Sequence, residues 1–298
     1  MNELTSFWSG WIIVISLGSI IGCYVLLSVV RKGQKFNGDT QQTMGHEFDG
    51  IEEYDNPLPK WWYWMFVLTV IFALGYLALY PGLGNFKGLL GWTQESAYNE
   101  EVAAAEAEFG PMFAQFSQTP IEALAKNDQA MRIGQRLFAN NCSQCHGSAA
   151  TGGYGFPNLT DKDWLYGGDA ASIKQTILNG RMGAMPAWGP ILGESGVHQV
   201  SQYVMSLSGR ETDAAAAKKG QALYSTNCQA CHGEQAQGNH LFGAPNLTDN
   251  IWLYGGGEQQ IKQTIRNGRS GRMPAWEAIL GQDKSHVVAG YVYSLSNQ

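Results

Sequence analysis

An internal repeat in the C-terminal half constrains this chain more than any other feature. The segment 134–147 returns 86 residues later, and two inserted residues then lengthen the offset to 88. Further segments match at that longer offset, among them Pro-Asn-Leu-Thr, Trp-Leu-Tyr-Gly-Gly and Met-Pro-Ala-Trp. A self-similar sequence predicts structural units of one kind. We therefore predict two copies of one small domain, at residues 129–209 and 210–298.

The pattern inside each copy favours helices. A helix is expected to end at the cysteine pair, followed by a glycine-rich loop. In the first copy, a short helix is predicted at about residues 170–178 and a closing helix at about residues 197–207. No period-two alternation typical of strands stands out. The predicted fold class is all-α.

Each copy carries one Cys-x-x-Cys-His motif. The residues are Cys142, Cys145 and His146 in the first copy, and Cys228, Cys231 and His232 in the second. This is the attachment pattern of c-type haem, in which both thiols bind the haem covalently and the histidine binds the iron. A zinc site would have to join the two pairs across 83 residues and would leave the histidines unexplained. A thiol redox motif is the other alternative. We predict two covalently bound haem c groups.

The second axial ligand of each iron is predicted to be a methionine. Met185 and Met273 match across the repeat, and each precedes a proline that stiffens its loop. Met182 is a nearby competitor, but Ser270 stands at its matched position and has no thioether. His/Met ligation raises the haem potential. By default each copy completes its own site, while methionines exchanged between the copies are the minority alternative.

Three further residue pairs match across the repeat. They are His198 and His286, Pro157 and Pro245, and Arg181 and Arg269. The histidines are the next candidate ligands, but we expect them on the surface of the closing helices. The proline carbonyls are candidate acceptors for the second ring N–H of the ligating histidines. The arginines either pair with haem propionates or are simply exposed.

Two uncharged segments precede the repeat. Trp8–Val30 has 23 residues and Trp61–Tyr80 has 20, each long enough to cross a bilayer as a helix. A cleavable signal peptide would have a basic start, whereas here Glu3 precedes the first run and Arg31-Lys32 follow it. We therefore predict a membrane anchor at residues 1–90, with helices at about 8–30 and 61–80.

Charge predicts the orientation of this anchor. The connector 31–60 holds four Lys and Arg residues, and residues 1–30 hold none. Because basic loops stay cytoplasmic, the connector is expected inside and both termini and the haem domains in the periplasm. Residues 91–128 are expected to form an acidic linker. With 25 Asp and Glu against 19 Lys and Arg, no basic excess points to nucleic acid.

With these residues in view, each copy resembles a class I cytochrome c, through Cys-x-x-Cys-His, Pro-Asn-Leu and Met-Pro-x-Trp. The segment His46–Trp62 resembles the one leading into the membrane anchor of CcoP (FixP), the dihaem subunit III of cbb3-type cytochrome c oxidases. This resemblance implies a bacterial inner-membrane subunit that transfers electrons without reducing oxygen itself. It also implies three partners besides lipid: a periplasmic donor cytochrome c, a monohaem cytochrome c subunit and a catalytic haem-copper subunit.

The extra helix at Trp8–Val30 departs from the common family pattern of one anchoring helix. The resemblance therefore does not imply what this helix contacts. Three alternatives remain besides an oxidase subunit. They are a stand-alone membrane-anchored dihaem cytochrome, a dihaem peroxidase, and an anchor whose haems sense gas or redox state. A peroxidase would need one iron with a vacant or displaceable ligand.

Overall fold

The structure is a computed structural model that describes residues 4–33, 43–54 and 56–297. It divides into two compact units, Met1–Ala107 and Glu108–Gln298. In chain order the elements are α1 (Ser6–Gly33), β1 (Thr43–Phe48), β2 (Ile51–Tyr54), α2 (Lys60–Leu79), α3 (Gln94–Ser117), α4 (Ile121–Leu124), α5 (Asp128–Asn141), α6 (Ser143–His146), α7 (Ala170–Asn179), β3 (Arg181–Met185), α8 (Gly189–Leu207), α9 (Ala214–Asn227), α10 (Gln229–His232), α11 (Glu258–Asn267), β4 (Arg269–Met273) and α12 (Glu277–Ser296).

The first unit contains the two long apolar helices that the sequence predicts. Ser6–Lys32 and Lys60–Leu79 are long and apolar enough to cross a membrane. No residue in the most apolar stretch of either helix is buried. Asn85, which follows α2, donates to the Leu4 carbonyl at 2.8 Å, and its backbone N–H donates to Ser9 Oγ at 3.0 Å. The end of α2 therefore lies beside the start of α1, as in an antiparallel helical hairpin.

The connector between these helices contains a β-hairpin, which the sequence pattern did not predict. β1 and β2 pair antiparallel around Asp49-Gly50, whose φ angles are +51° and +83°. Asp-Gly with positive φ at both positions is the preferred two-residue hairpin turn. Residues 34–42 and 55 of the predicted connector lie outside the described residues.

In the second unit, the closing helix of each copy packs against the other copy. α12 packs on α5, α7 and α4, while α8 packs on α9 and α11. Two apolar cores result, one containing Phe138 and Val288, the other Tyr224 and Val200. The mostly helical fold agrees with prediction. The expected division into self-contained domains at 129–209 and 210–298 differs from this packing, because α8 and α12 have exchanged places.

Matched glycines allow this exchange. A Cβ at Gly134 of α5 would lie 2.7 Å from Tyr291 Cβ of α12, and a Cβ at Gly220 of α9 would lie 2.0 Å from the Gln199 carbonyl oxygen of α8. Helix backbones this close tolerate only glycine at the crossing point. Each crossing joins a helix of one copy to the closing helix of the other.

Strands β3 and β4 also join the copies. They pair antiparallel, with Gly183 opposite Gly271 at the centre. Five-residue strands whose partners lie far apart in the chain leave no clear period in the sequence, so the prediction of helices alone missed this ribbon. The ribbon brings the two methionine loops of the repeat together.

The acidic linker is largely one helix. Thr93 caps α3, since its Oγ1 accepts from the Ser96 N–H at 2.9 Å. Near the other end, Phe113 and Phe116 are buried with Val287 of α12. The last turns of α3 are therefore part of the core of the second unit.

A buried hydroxyl distinguishes the two cores. Tyr224 is 1% exposed, and its hydroxyl donates to the Gly233 carbonyl at 2.8 Å. Phe138 holds the matched position in the other core without this bond. We expect Tyr224→Phe to lower the free energy of unfolding by about 1–2 kcal/mol, because a buried carbonyl loses its donor. Thermal unfolding of the purified chain measures this. An unchanged melting temperature would contradict it, and Phe138→Leu is the control that removes no hydrogen bond.

Candidate haem sites

Each Cys-x-x-Cys-His motif forms one helical turn directly after a longer helix. In the first copy the Cys142 N–H donates to the Phe138 carbonyl at 2.8 Å, and the His146 N–H donates to the Cys142 carbonyl at 3.0 Å. Residues three and four positions apart share one helix face. Cys142, Cys145 and His146 can therefore approach one flat ligand from the same side. The second motif repeats these bonds at 2.8 and 3.0 Å.

Both motif histidines are held by a carbonyl. His146 Nδ1 lies 3.0 Å from the Pro157 oxygen, and His232 Nδ1 lies 3.1 Å from the Pro245 oxygen. The predicted proline contacts are thus confirmed. With Nδ1–H as the donor, Nε2 is the nitrogen left to bind a metal. Burial is the main cause that lowers the pKa of both imidazoles, which favours the neutral form that metals bind.

The first thiol of each pair is poorly suited to thiol redox chemistry. Burial, aided by the neighbouring thiol, raises the pKa of Cys142 and of Cys228 to about 11. Reactive cysteines instead have lowered pKa values, because the thiolate is the nucleophile. The thiol-redox alternative therefore lacks the lowered thiol pKa that it requires. Among the described residues, no group of three or more His, Cys, Asp and Glu side chains has metal-binding geometry.

The methionines lie in exchanged positions. Met273 and Cys142 pack against one core, and Met185 packs against the core that contains Cys228. This differs from the default expectation that each copy supplies its own methionine. The reason is the β3–β4 ribbon, which carries each Met-Pro-Ala-Trp segment into the other core. Met182, the competitor, is 77% exposed.

Backbone contacts fix these crossed loops. The N–H of Trp276, three residues after Met273, donates to the Ile177 carbonyl at 3.0 Å. A Cβ at Gly180 would lie 2.4 Å from the Met273 oxygen, and Gly180 has φ +69°. The second site has the same contacts, with Gly268 against the Met185 oxygen. Only glycine combines this φ with such a close approach.

Two half-buried arginines are the first residues of strands β3 and β4, which form the ribbon. The Arg181 guanidinium stands 4.8 Å over the Tyr166 ring, and the Arg269 guanidinium stands 4.4 Å over the Tyr254 ring. No Asp or Glu of the described residues forms an ion pair with either arginine. The Tyr166 hydroxyl is buried without a hydrogen-bond partner among those residues. The Nε of each arginine donates to a threonine hydroxyl, that of Thr176 at 2.9 Å and that of Thr264 at 3.0 Å. Guanidinium groups held in this way suit a carboxylate-bearing ligand such as haem.

The residues present therefore fit haem c. Each site offers two thiols and an oriented imidazole on one helical turn, together with a methionine from the other copy. An apolar core and a nearby arginine complete it. The sequence alone predicts the thiols, histidines and methionines. It missed the tyrosines under the arginines, for which their place in the matched Trp-Leu-Tyr-Gly-Gly segments was the available signal.

The two closing-helix histidines differ from each other. His198 keeps 41% of its side chain exposed, as expected for a helix surface. The same expectation is wrong for His286, which is 6% exposed because α12 enters the core of the first copy. His286 Nδ1 accepts from Lys174 Nζ at 3.0 Å, and its Nε2–H donates to the Thr119 carbonyl at 2.8 Å. Both nitrogens are occupied, so His286 is not available to an iron.

This histidine should make stability depend on pH. Burial is the largest cause that lowers the pKa of His286, and Lys174 lowers it further, while the Thr119 carbonyl, Asp283 and Glu122 oppose them. A lowered folded-state pKa gives stability that is complete above the unfolded value of about 6.5 and is lost as pH falls below it. We expect the melting temperature to drop from pH 7 to pH 5, and part of the drop to disappear in His286→Gln. An identical pH profile for the variant would contradict this role.

The fold and the sites define a class of protein, in which two apolar helices are followed along the chain by a tandem cytochrome c. Comparison with known families specifies it further. Residues 40–87 match the N-terminal domain of cytochrome oxidase-cbb3, FixP. Residues 129–204 and 215–292 match cytochrome c oxidase, cbb3-type, subunit III. The chain belongs to the family of cbb3-type cytochrome c oxidase subunit III, and membrane association is consistent with its apolar helices.

Relatives match over most of the chain. It is 46% identical to cbb3-type cytochrome c oxidase subunit CcoP of Rubrivivax gelatinosus, over 98% of this chain and 95% of that protein. It is 43% identical to subunit FixP of Azorhizobium caulinodans, over 85% of this chain and 92% of that protein. It is 40% identical to subunit CcoP of Cereibacter sphaeroides, over 85% and 94%. The 98% match extends into α1, so the first helix is not peculiar to this chain.

Proposed function

We propose that this chain is the electron-entry subunit of a cbb3-type cytochrome c oxidase. It accepts electrons from a periplasmic donor cytochrome and passes them toward the monohaem subunit and the haem-copper subunit that reduces oxygen. The observation that carries the proposal is that each Cys-x-x-Cys-His turn shares an apolar core with a half-buried methionine. An iron with both axial positions filled transfers electrons and offers no vacant position to oxygen or peroxide.

Each haem is held by residues of both copies. Cys142 and Cys145 bind one haem covalently, with His146 and Met273 as axial ligands. Cys228 and Cys231 bind the other, with His232 and Met185 as axial ligands. The support is that Met273 and Cys142 pack against one apolar core, and that Met185 packs against the core that includes Cys228. The bound haem supplies one-electron redox chemistry, and methionine ligation raises its potential.

The chain's own side chains prepare these sites. The proline carbonyls orient the histidines and fix their tautomer. The apolar cores against which Met273 and Met185 pack would hold the sulfur of each methionine beside a bound haem and would limit the access of water to it. Arg181 and Arg269 supply positive charge next to the ribbon that carries both methionines.

The anchor crosses the bacterial inner membrane twice, with the connector in the cytoplasm and both termini in the periplasm. Arg31 and Lys32 at the end of α1 support this orientation, since basic residues favour the cytoplasmic side. The contact of Asn85 with Leu4 supports a hairpin whose two open ends emerge on one side. The haem domains follow the second helix on that same periplasmic side.

Purification through a tag on this chain, in mild detergent, tests the proposal. We expect b-type haem and oxygen consumption to accompany the c-type signal, with two c-type haems per chain. Cys142→Ala with Cys145→Ala should remove one covalent haem, while Cys23→Ala, in the exposed apolar helix α1, should remove none. If only c-type haem appears and no other subunit follows the tag, the chain is a stand-alone carrier.

A further inference from the structure

One arginine of the haem unit, Glu108–Gln298, has no charged counterpart across the repeat. Arg210 lies in the short segment that joins the two copies, shortly after the end of α8. Gly209 before it turns the chain with φ +73°. At the repeat offset of 88 residues, the position matched to Arg210 is Gln298, which carries no charge. Arg210 therefore adds a cation to one half of the haem unit only.

Contacts with α8 hold this joining segment in place. The Arg210 N–H donates to the Met205 carbonyl at 3.4 Å. The Asp213 N–H donates to Oε1 of the buried Gln202 side chain at 2.9 Å. The position matched to Gln202 is Gly290, which has no side chain to make such a bond. The backbone on both sides of the Arg210 side chain is thus fixed before any ligand binds.

The guanidinium of Arg210 lies against the loop of the second haem site. Its central carbon stands 4.9 Å over the Trp252 ring, and its Nη1 donates to the Gly256 carbonyl. A Cβ at Gly256 would lie 2.7 Å from Trp252 Cδ1, so the two residues are in close contact. Trp252 in turn packs against the apolar core that contains Cys228. Arg210 is thereby placed beside the core of the second haem site.

One nitrogen of this guanidinium is left over. Nε donates to the Ser208 hydroxyl at 3.0 Å, but Nη2 is buried and bonds to no group of the described residues. No Asp or Glu among those residues forms an ion pair with Arg210. A buried charged donor without an acceptor is strongly unfavourable. It therefore indicates an anionic ligand, and a carboxylate matches the planar guanidinium in shape and charge.

The first haem site lacks this cation. Trp164 is the matched tryptophan, and it packs against the same core as Cys142. In the part of the chain that the structure describes, no Lys or Arg side chain lies over the Trp164 ring. Arg181 and Arg269 match each other across the repeat, so each site has one arginine from the ribbon. Arg210 is an additional arginine of the second site.

We propose that Arg210 binds a propionate carboxylate of the haem attached at Cys228 and Cys231, and that it raises the potential of this haem relative to the other. This rests on the proposed function, in which both haems transfer electrons. A nearby positive charge stabilises the electron that a haem gains on reduction, and the effect is larger where water is excluded. Neutralising the charge of the propionate acts in the same direction. The two haems are thereby made unequal, and the second is favoured as the electron acceptor.

Redox titration of the purified two-haem chain, followed by its c-type absorption, tests this. We expect Arg210→Gln, which supplies the side chain of the matched position, to lower the reduction equilibrium constant of one haem about tenfold. For one electron this is a fall in potential of about 59 mV. Arg210→Met, which can still cover the Trp252 ring but carries no charge, should reproduce the fall. Arg210→Lys, which keeps the charge, should retain at least half of the wild-type difference.

Single-haem chains assign the affected haem. When Cys142→Ala and Cys145→Ala leave only the second haem, Arg210→Gln should lower its potential about tenfold in the same terms. When Cys228→Ala and Cys231→Ala leave only the first haem, Arg210→Gln should have no effect. A general loosening of the fold would instead lower both potentials.

Arg266→Gln is the control for removing an arginine from the second copy. Its guanidinium pairs with Glu194 and is 37% exposed, so neither potential should change. Because thioether bonds keep each haem attached, every variant remains measurable. Unchanged potentials in Arg210→Gln and Arg210→Met would overturn the inference, as would equal falls at both haems. A two-haem chain that purifies without oxidase subunits would refute the proposed function and would leave this test of Arg210 valid.

Discussion

Met273→Ala is expected to remove the sulfur ligand from the haem attached at Cys142 and Cys145, and to spare the haem of its own copy. The reason is that Met273 and Cys142 pack against the same apolar core. A chain reduced to one haem by Cys228→Ala and Cys231→Ala makes the outcome readable. In that chain Met273→Ala should abolish the near-infrared sulfur-to-iron absorption band completely. The haem potential should fall as well, since methionine ligation raises it.

Met185→Ala in the same single-haem chain is the matched control. It should leave the sulfur-to-iron band intact, because Met185 packs against the other core. Met182→Ala should also leave it, since Met182 is largely exposed. Loss of the band with Met185→Ala and its survival with Met273→Ala would mean that each copy supplies its own ligand.

Most candidate residues of the sites can be predicted from the sequence alone. The two motifs, the matched methionines and the proline carbonyls follow from the repeat, because each is a short-range pattern. Pro157 is an example: a haem-binding histidine needs an acceptor for its second ring N–H, the matched prolines are the candidates, and His146 Nδ1 lies 3.0 Å from the Pro157 oxygen. The two long apolar helices were equally readable, since composition and length alone define them.

The exchange of α8 and α12 could not be predicted in the same way. Matched helices of the two copies carry similar apolar faces. The sequence pattern therefore does not show which copy each closing helix packs against. His286 illustrates the consequence. At the sequence level it looks like a surface residue of the closing helix, yet it is buried against Lys174 of the other copy. The ribbon formed by β3 and β4 depends on the same long-range choice.

Gly220→Ala is expected to destabilise the haem unit by about 3 kcal/mol, within the range for overpacking at a buried contact. Its Cβ would lie 2.0 Å from the Gln199 carbonyl oxygen, a backbone atom that can yield only if α8 moves. Thermal unfolding followed by circular dichroism in the haem region measures the effect. Gly153→Ala is the control, because no heavy atom lies within 4 Å of a Cβ at Gly153. Equal melting temperatures for the two variants would contradict the close crossing.

A double-mutant cycle then separates exchanged from self-contained packing. A Cβ at Gly134 would meet Tyr291 of the other copy at 2.7 Å, whereas Tyr203 lies against Gly220. Residues in contact couple by about 0.5–3 kcal/mol, and distant residues add independently. We therefore expect Gly134→Ala to be non-additive with Tyr291→Ala and additive with Tyr203→Ala. Self-contained copies would give the reverse, because α5 would then cross α8, and the two haems would no longer share their methionine loops.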